Sequence, residues 1–109
     1  MTNELSKDLI RGHTNAIVLN LLSQSDSYGY RLVQDVARIT NGEYELNEAT
    51  LYTVFRRLGK EGLVTSYYGD ETQGGRRKYY SLTEAGHQQL AKEQAAWQFA
   101  KQMIDDLMR

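Results

Sequence analysis

Cysteine and proline are both missing from this 109-residue chain. Without cysteine there can be no disulfide, no zinc–thiolate site and no thiol nucleophile, a pattern that fits a reducing compartment. Histidine occurs only as His13 and His87, neither with a carboxylate or serine at a recognisable catalytic spacing, and no phosphate-loop or dinucleotide fingerprint appears. The Asp105-Asp106 pair stands alone, as solvated pairs on helices do. No window approaches the roughly 18 consecutive apolar residues of a membrane span, and Met1-Thr2-Asn3-Glu4 lacks the basic and apolar regions of a secretory signal. With 40% hydrophobic and 25% charged residues the composition is that of a folded domain rather than a disordered one. The expectation is one soluble, cytoplasmic domain that is not an enzyme and has no metal, no cofactor and no membrane partner.

The formal charge of −1 conceals a gradient. Residues 1–49 carry 4 basic and 7 acidic side chains, whereas residues 50–80 carry 6 basic and 3 acidic. A nearly neutral whole argues against a polyanionic partner, but the positive charge is concentrated in one third of the chain, and there the local reading outweighs the average.

Hydrophobic periodicity predicts four helices and a hairpin. The first helix spans about Glu4 to Ser23, with Ile10, Thr14, Ile17, Val18, Leu21 and Leu22 on one stripe and Leu5, Leu9, Gly12 and Ala16 nearly opposite. Two apolar faces call for a second partner, so the second face reads as half of a subunit contact. Ser25, Asp26 or Ser27 is a candidate cap for a second helix, about Tyr28 to Thr40, closed by Asn41-Gly42. Asn47 reads as the cap of a third helix, Glu48 to about Lys60, with Leu51, Val54, Phe55 and Leu58 as its core stripe. Leu63–Gly69 and Lys78–Leu82 are β-prone runs around a Gly74-Gly75 loop, hence a hairpin. Thr83 caps a last helix on which Leu90, Trp97, Ala100, Ile104 and Leu107 form an imperfect coiled-coil seam, with Glu93 at the mismatched position.

This order is a winged helix-turn-helix (mainly α, α+β) over residues 1–82, followed by a C-terminal dimerisation helix over 83–109. Opposite its core stripe the third helix shows Thr53, Arg56, Arg57 and Lys60, flanked by Thr50 and Tyr52; the hairpin tip adds Arg76, Arg77 and Lys78. A helix fits the major groove of B-DNA, about 12 Å wide, and hydroxyls and guanidinium groups on it can meet base edges and phosphates. Trp97 is the only tryptophan. Interface packing is its ordinary role, but the small residues Ala95, Ala96 and Ala100 around it leave room in a two-fold dimer for a gap between two indoles, where a flat aromatic ligand would stack.

The runs Leu46-Asn47-Glu48-Ala49-Thr50-Leu51-Tyr52, Gly74-Gly75-Arg76-Arg77-Lys78-Tyr79-Tyr80 and Leu82-Thr83-Glu84-Ala85-Gly86, with Thr14-Asn15 and Trp97, resemble the PadR family of transcriptional regulators over essentially the whole chain. Within it the nearest likeness is to the small members typified by the lactococcal multidrug-resistance regulator. The resemblance implies a homodimeric repressor whose C-terminal helix packs on the partner's first helix, with a double-stranded DNA operator as partner, a planar aromatic effector between paired tryptophans and a multidrug transporter as regulated target. It implies Asn47, Thr50, Leu51, Tyr52, Arg56, Arg77 and Lys78 as operator-reading residues, and Leu9, Gly12, Asn15, Ala16, Asn20 and Trp97 around the effector. Lys101 joins that set but replaces the multidrug relative's acidic residue. Gln94 replaces its aromatic, although Phe99 can offer a ring from another angle. Preference for cations therefore does not carry over. The dimer contact falls on Leu5, Leu9, Ala96, Ala100, Ile104, Leu107 and Met108. Two alternatives stay open: a family member without a ligand pore, and a winged-helix module that holds proteins instead of DNA.

Overall fold

The computed structural model describes residues 7–69 and 77–109. The elements run α1 (Lys7–Arg11), α2 (Thr14–Gln24), α3 (Gly29–Ile39), α4 (Glu48–Lys60), β1 (Val64–Tyr68), β2 (Lys78–Leu82) and α5 (Glu84–Leu107). The mainly helical winged helix-turn-helix expected from the pattern is present, as helices with one small antiparallel sheet.

Local chemistry sets the bounds of α4. Asn47 is extended (φ −84°, ψ 157°) and its Oδ1 accepts the Thr50 N–H at 2.8 Å, satisfying one of the donors that a helix start leaves without a partner. Glu48 lies in the first turn and Arg57 and Lys60 in the last, the distribution that the helix dipole favours. Leu51, Val54, Phe55 and Leu58 are all buried, as their spacing predicts. At the end of α3, Asn41 (φ 51°) and Gly42 (φ 78°) adopt the left-handed turn.

The start of α3 differs from expectation. None of Ser25, Asp26 and Ser27 caps it; Tyr28 is the N-cap residue, with no side-chain cap bond. Ser27 instead exchanges backbone hydrogen bonds with Tyr80 at 3.2 and 2.8 Å, adding a short bridge to the sheet. That sheet pairs Val64 with Leu82 and Tyr68 with Lys78 at its two ends. Phe55 stacks on Tyr80 (centroids 3.7 Å apart, 10° between planes) and so ties α4 to the hairpin.

The first predicted helix is broken in two. Gly12, which costs about 1 kcal/mol relative to Ala inside a helix, and His13 (φ −109°, ψ 2°) form a turn between α1 and α2. Leu9 and Ala16 therefore do not share one continuous helical stripe, and α1 buries nothing of its own. Along α2, Val18, Leu19 and Leu22 are fully or almost fully buried while Ile17 and Leu21 are only partly so. Leu19 fell outside the predicted stripe; it is buried because α2 lies centrally, packed by α4, β2 and α5 together.

Thr83 accepts the Gly86 N–H at 3.0 Å and donates to the Gly62 carbonyl at 2.7 Å, which starts α5 and anchors it beside the sheet. Only Gly86 and Leu90 of its 24 residues are buried. At 1.5 Å per residue α5 is about 36 Å long, so most of it extends away from the core, and the molecule measures 55 × 34 × 21 Å. No described helix is long and apolar enough to cross a membrane.

Candidate nucleic-acid interface

With its apolar stripe sealed in the core, α4 turns Asn47, Thr50, Tyr52, Thr53, Arg56, Arg57 and Lys60 outward, every one of them exposed. The helical period divides this surface into two flanks. Thr50, Thr53 and Arg57 line a cleft of about 390 Å³ together with Arg11, Gly12, Thr14 and Asn15. Tyr52, Arg56 and Gly59 line a second cleft of about 520 Å³, whose other wall is Val64, Thr65, Ser66, Lys78 and Tyr80 of the hairpin. Between them runs the crest of the helix. A helix with side chains is about 10–12 Å across and the major groove about 12 Å wide, so a crest that enters the groove brings a cationic flank to each phosphate wall.

Leu51 does not belong to this surface. It is 0% exposed, and its position beneath the helix, against Gly29 of α3, makes it packing rather than readout. Arg76 lies outside the described residues. Arg77 and Lys78 are exposed at the root of the hairpin. The Arg77 guanidinium lies 4.8 Å from the Tyr28 ring centroid, Arg31 lies 5.1 Å from the same ring, and Lys78 Nζ lies 5.8 Å from that of Tyr80. Tyr28 meets Tyr79 edge-on at 5.2 Å, and Tyr79 stacks on Tyr67 at 5.6 Å.

Tyr28 and Arg31, which join the start of α3 to the wing root, were missed by the sequence reading. Arg31 belongs to an acidic half of the chain, and the usable signal is its place in the first turn of the helix that precedes α4. Tyr67 donates its hydroxyl to Asp26 at 2.6 Å. That hydrogen bond chiefly, with a lesser contribution from desolvation and the charge of Asp26, raises the Tyr67 pKa above 10.

Neither cleft gathers the residues assigned to an effector. Trp97, 43% exposed, meets His13 edge-on (4.7 Å, 70°). Asn20 accepts from the Gln94 amide at 3.3 Å, so the polar residue at 94 ties α5 to α2. Gly12 and Asn15 face α4, where Asn15 Oδ1 accepts from Arg57 at 3.1 Å. Ala16 is partly buried, Leu9 and Lys101 are exposed, and neither cleft includes Trp97. Of the residues expected at a dimer contact, Leu5 lies outside the described residues. Leu9, Ala96, Ile104, Leu107 and Met108 are exposed and Ala100 is partly so; Phe99 and Met103 extend the same apolar surface of α5. Among the described residues no group of His, Cys, Asp or Glu could hold a metal ion.

Comparison with known proteins bears on this arrangement. The model of the transcriptional regulator PadR-like family matches residues 18–92. Protein X of Lysinibacillus sphaericus is 43% identical over 93% of both chains. A transcriptional regulator from Clostridium thermocellum superposes with a TM-score of 0.88 at 38% identity, covering 96% of this chain and 99% of the other. A PadR family transcription regulator from Clostridium difficile gives a TM-score of 0.76 at 30% identity, covering 89% and 99%.

Proposed function

Because the chain belongs to the PadR-like family of transcriptional regulators, we propose that it works as a homodimeric repressor: each copy lays α4 in the major groove of one half-site, and a planar aromatic molecule at the dimer interface modulates the fit. The observation that carries the DNA-binding half is the two-flanked surface of α4, with Arg57 on one side and Arg56 with Lys78 on the other. Two-fold symmetry would suit half-sites about 34–36 Å apart. The dimeric half rests on α5, which leaves Ile104, Leu107 and Met108 between 52% and 82% exposed. A contiguous exposed apolar surface of this kind marks a site of association.

Binding of duplex DNA should fall about 10³–10⁵-fold between 50 and 200 mM salt if six to ten phosphates are contacted. The double substitution Arg56→Glu with Arg57→Glu should remove DNA binding and leave the fold intact, since both side chains are exposed. A protein that binds other proteins unchanged after that reversal would instead support the interaction-module reading.

The ligand half rests on Trp97, exposed on the free part of α5 beside His13. Being the only tryptophan, it reports directly. Titration with planar dyes should quench its fluorescence, and Trp97→Ala should abolish dye binding read by the anisotropy of the dye itself. Dyes that never quench would leave a PadR-type regulator without an aromatic site.

A further inference from the structure

We infer that Asn15 is a positioning residue for DNA binding, holding Arg57 toward the phosphate wall on the α2 flank of α4; the inference rests on the proposal that α4 enters the groove. Asn15 lies on the first turn of α2, 42 positions before Arg57, and its Oδ1 accepts a hydrogen bond from Arg57 Nη1 at 3.1 Å. Both residues line the cleft that also holds Arg11, Thr50 and Thr53.

An arginine offers five N–H donors in a rigid fork. One bond to Asn15 leaves the rest of the fork for a phosphate oxygen, and it fixes a long side chain that would otherwise lose rotamer freedom on binding. The chemistry suits a neutral amide. An aspartate at the same place would pair with the guanidinium as a charge and compete with the phosphate; an aliphatic residue would leave the arginine loose. The side chain therefore presents its carbonyl oxygen to Arg57 without cancelling the charge. Among the described residues no such bond supports Arg56, which lines the opposite flank with Tyr52 and the hairpin residues Ser66 and Lys78. This role also moves Asn15 from the effector set, where the family resemblance placed it, to the DNA-binding set.

Because a phosphate contact is independent of sequence, a labelled mixed-sequence duplex is a sufficient probe, read by fluorescence anisotropy at several salt concentrations between about 50 and 200 mM. Asn15→Ala should weaken binding about two- to ten-fold, the cost of immobilising one free side chain, with the salt slope unchanged. Asn15→Asp should weaken it further and lower the slope by about 0.9, the equivalent of one lost phosphate. In an Arg57→Ala background Asn15→Ala should have no effect. An Asn15→Ala loss that persists in the Arg57→Ala background would assign Asn15 to the structure of α2 and overturn the inference, and so would wild-type affinity and slope in both Asn15 variants. Failure of the wild-type chain to bind the duplex at all would instead overturn the proposed function.

Discussion

Arg56 and Arg57 are adjacent in sequence, yet about 100° of helical rotation sends them to opposite flanks of α4, one toward the wing and one toward α2. Each is then defined by what it meets: a hairpin wall for Arg56, the Asn15 carbonyl for Arg57. Tyr67 and Asp26 show the same kind of long-range pairing, 41 positions apart. Because the Tyr67 pKa is raised in the folded chain, the hydroxyl keeps the proton it donates to Asp26 as pH rises to the unfolded value of about 10. The contact is lost only as pH rises through the higher folded value. Subtracting the phenolate titration of Tyr67→Phe from that of the native chain should therefore isolate a tyrosine that ionises above pH 10, and Asp26→Asn should bring it back toward that value. A Tyr67 that ionises at or below the free-phenol value would contradict the contact.

At the scale of elements, what could be read from the sequence was whatever depends on near neighbours. The bounds of α4, its Asn47 cap and its four buried apolar residues follow from a capping side chain and a 3.6-residue period, and Thr83 likewise announces α5. What escaped depends on tertiary packing. Asp26 looked like a cap but serves Tyr67, Leu19 is buried only because α2 is enclosed on several sides, and Leu51 is core although its motif suggests readout. The break at Gly12-His13 was carried over by a periodic pattern that ignored the low helix propensity of glycine. Gly86 marks where α5 meets the hairpin: a Cβ there would run into the Leu63 carbonyl oxygen and, at 2.9 Å, a Leu82 methyl. Gly86→Ala should destabilise the chain by about 1–3 kcal/mol, the usual cost of overpacking, read as a lower urea midpoint with little change in slope. An unchanged midpoint would mean that α5 can shift freely against the hairpin.

Across the whole molecule, two surfaces stand out. One is formed by the cationic flanks of α4 and the wing root; the other is the free length of α5, where Trp97, Phe99, Met103, Ile104, Leu107 and Met108 are exposed among charged residues. The chain is near neutrality overall, so a polyanion would be met by that local charge, and pairing through α5 would present it twice. On the proposed reading the PadR-like fold would divide the work: one surface to join two copies, another to meet the duplex. Sedimentation velocity of the chain with a labelled duplex, run at about 50 and 200 mM salt, tests both surfaces together. The account predicts two chains per duplex at the lower salt and, at the higher, free duplex beside a protein species of twice 12.5 kDa. A 12.5 kDa species that sediments apart from the duplex at both salt concentrations would contradict it.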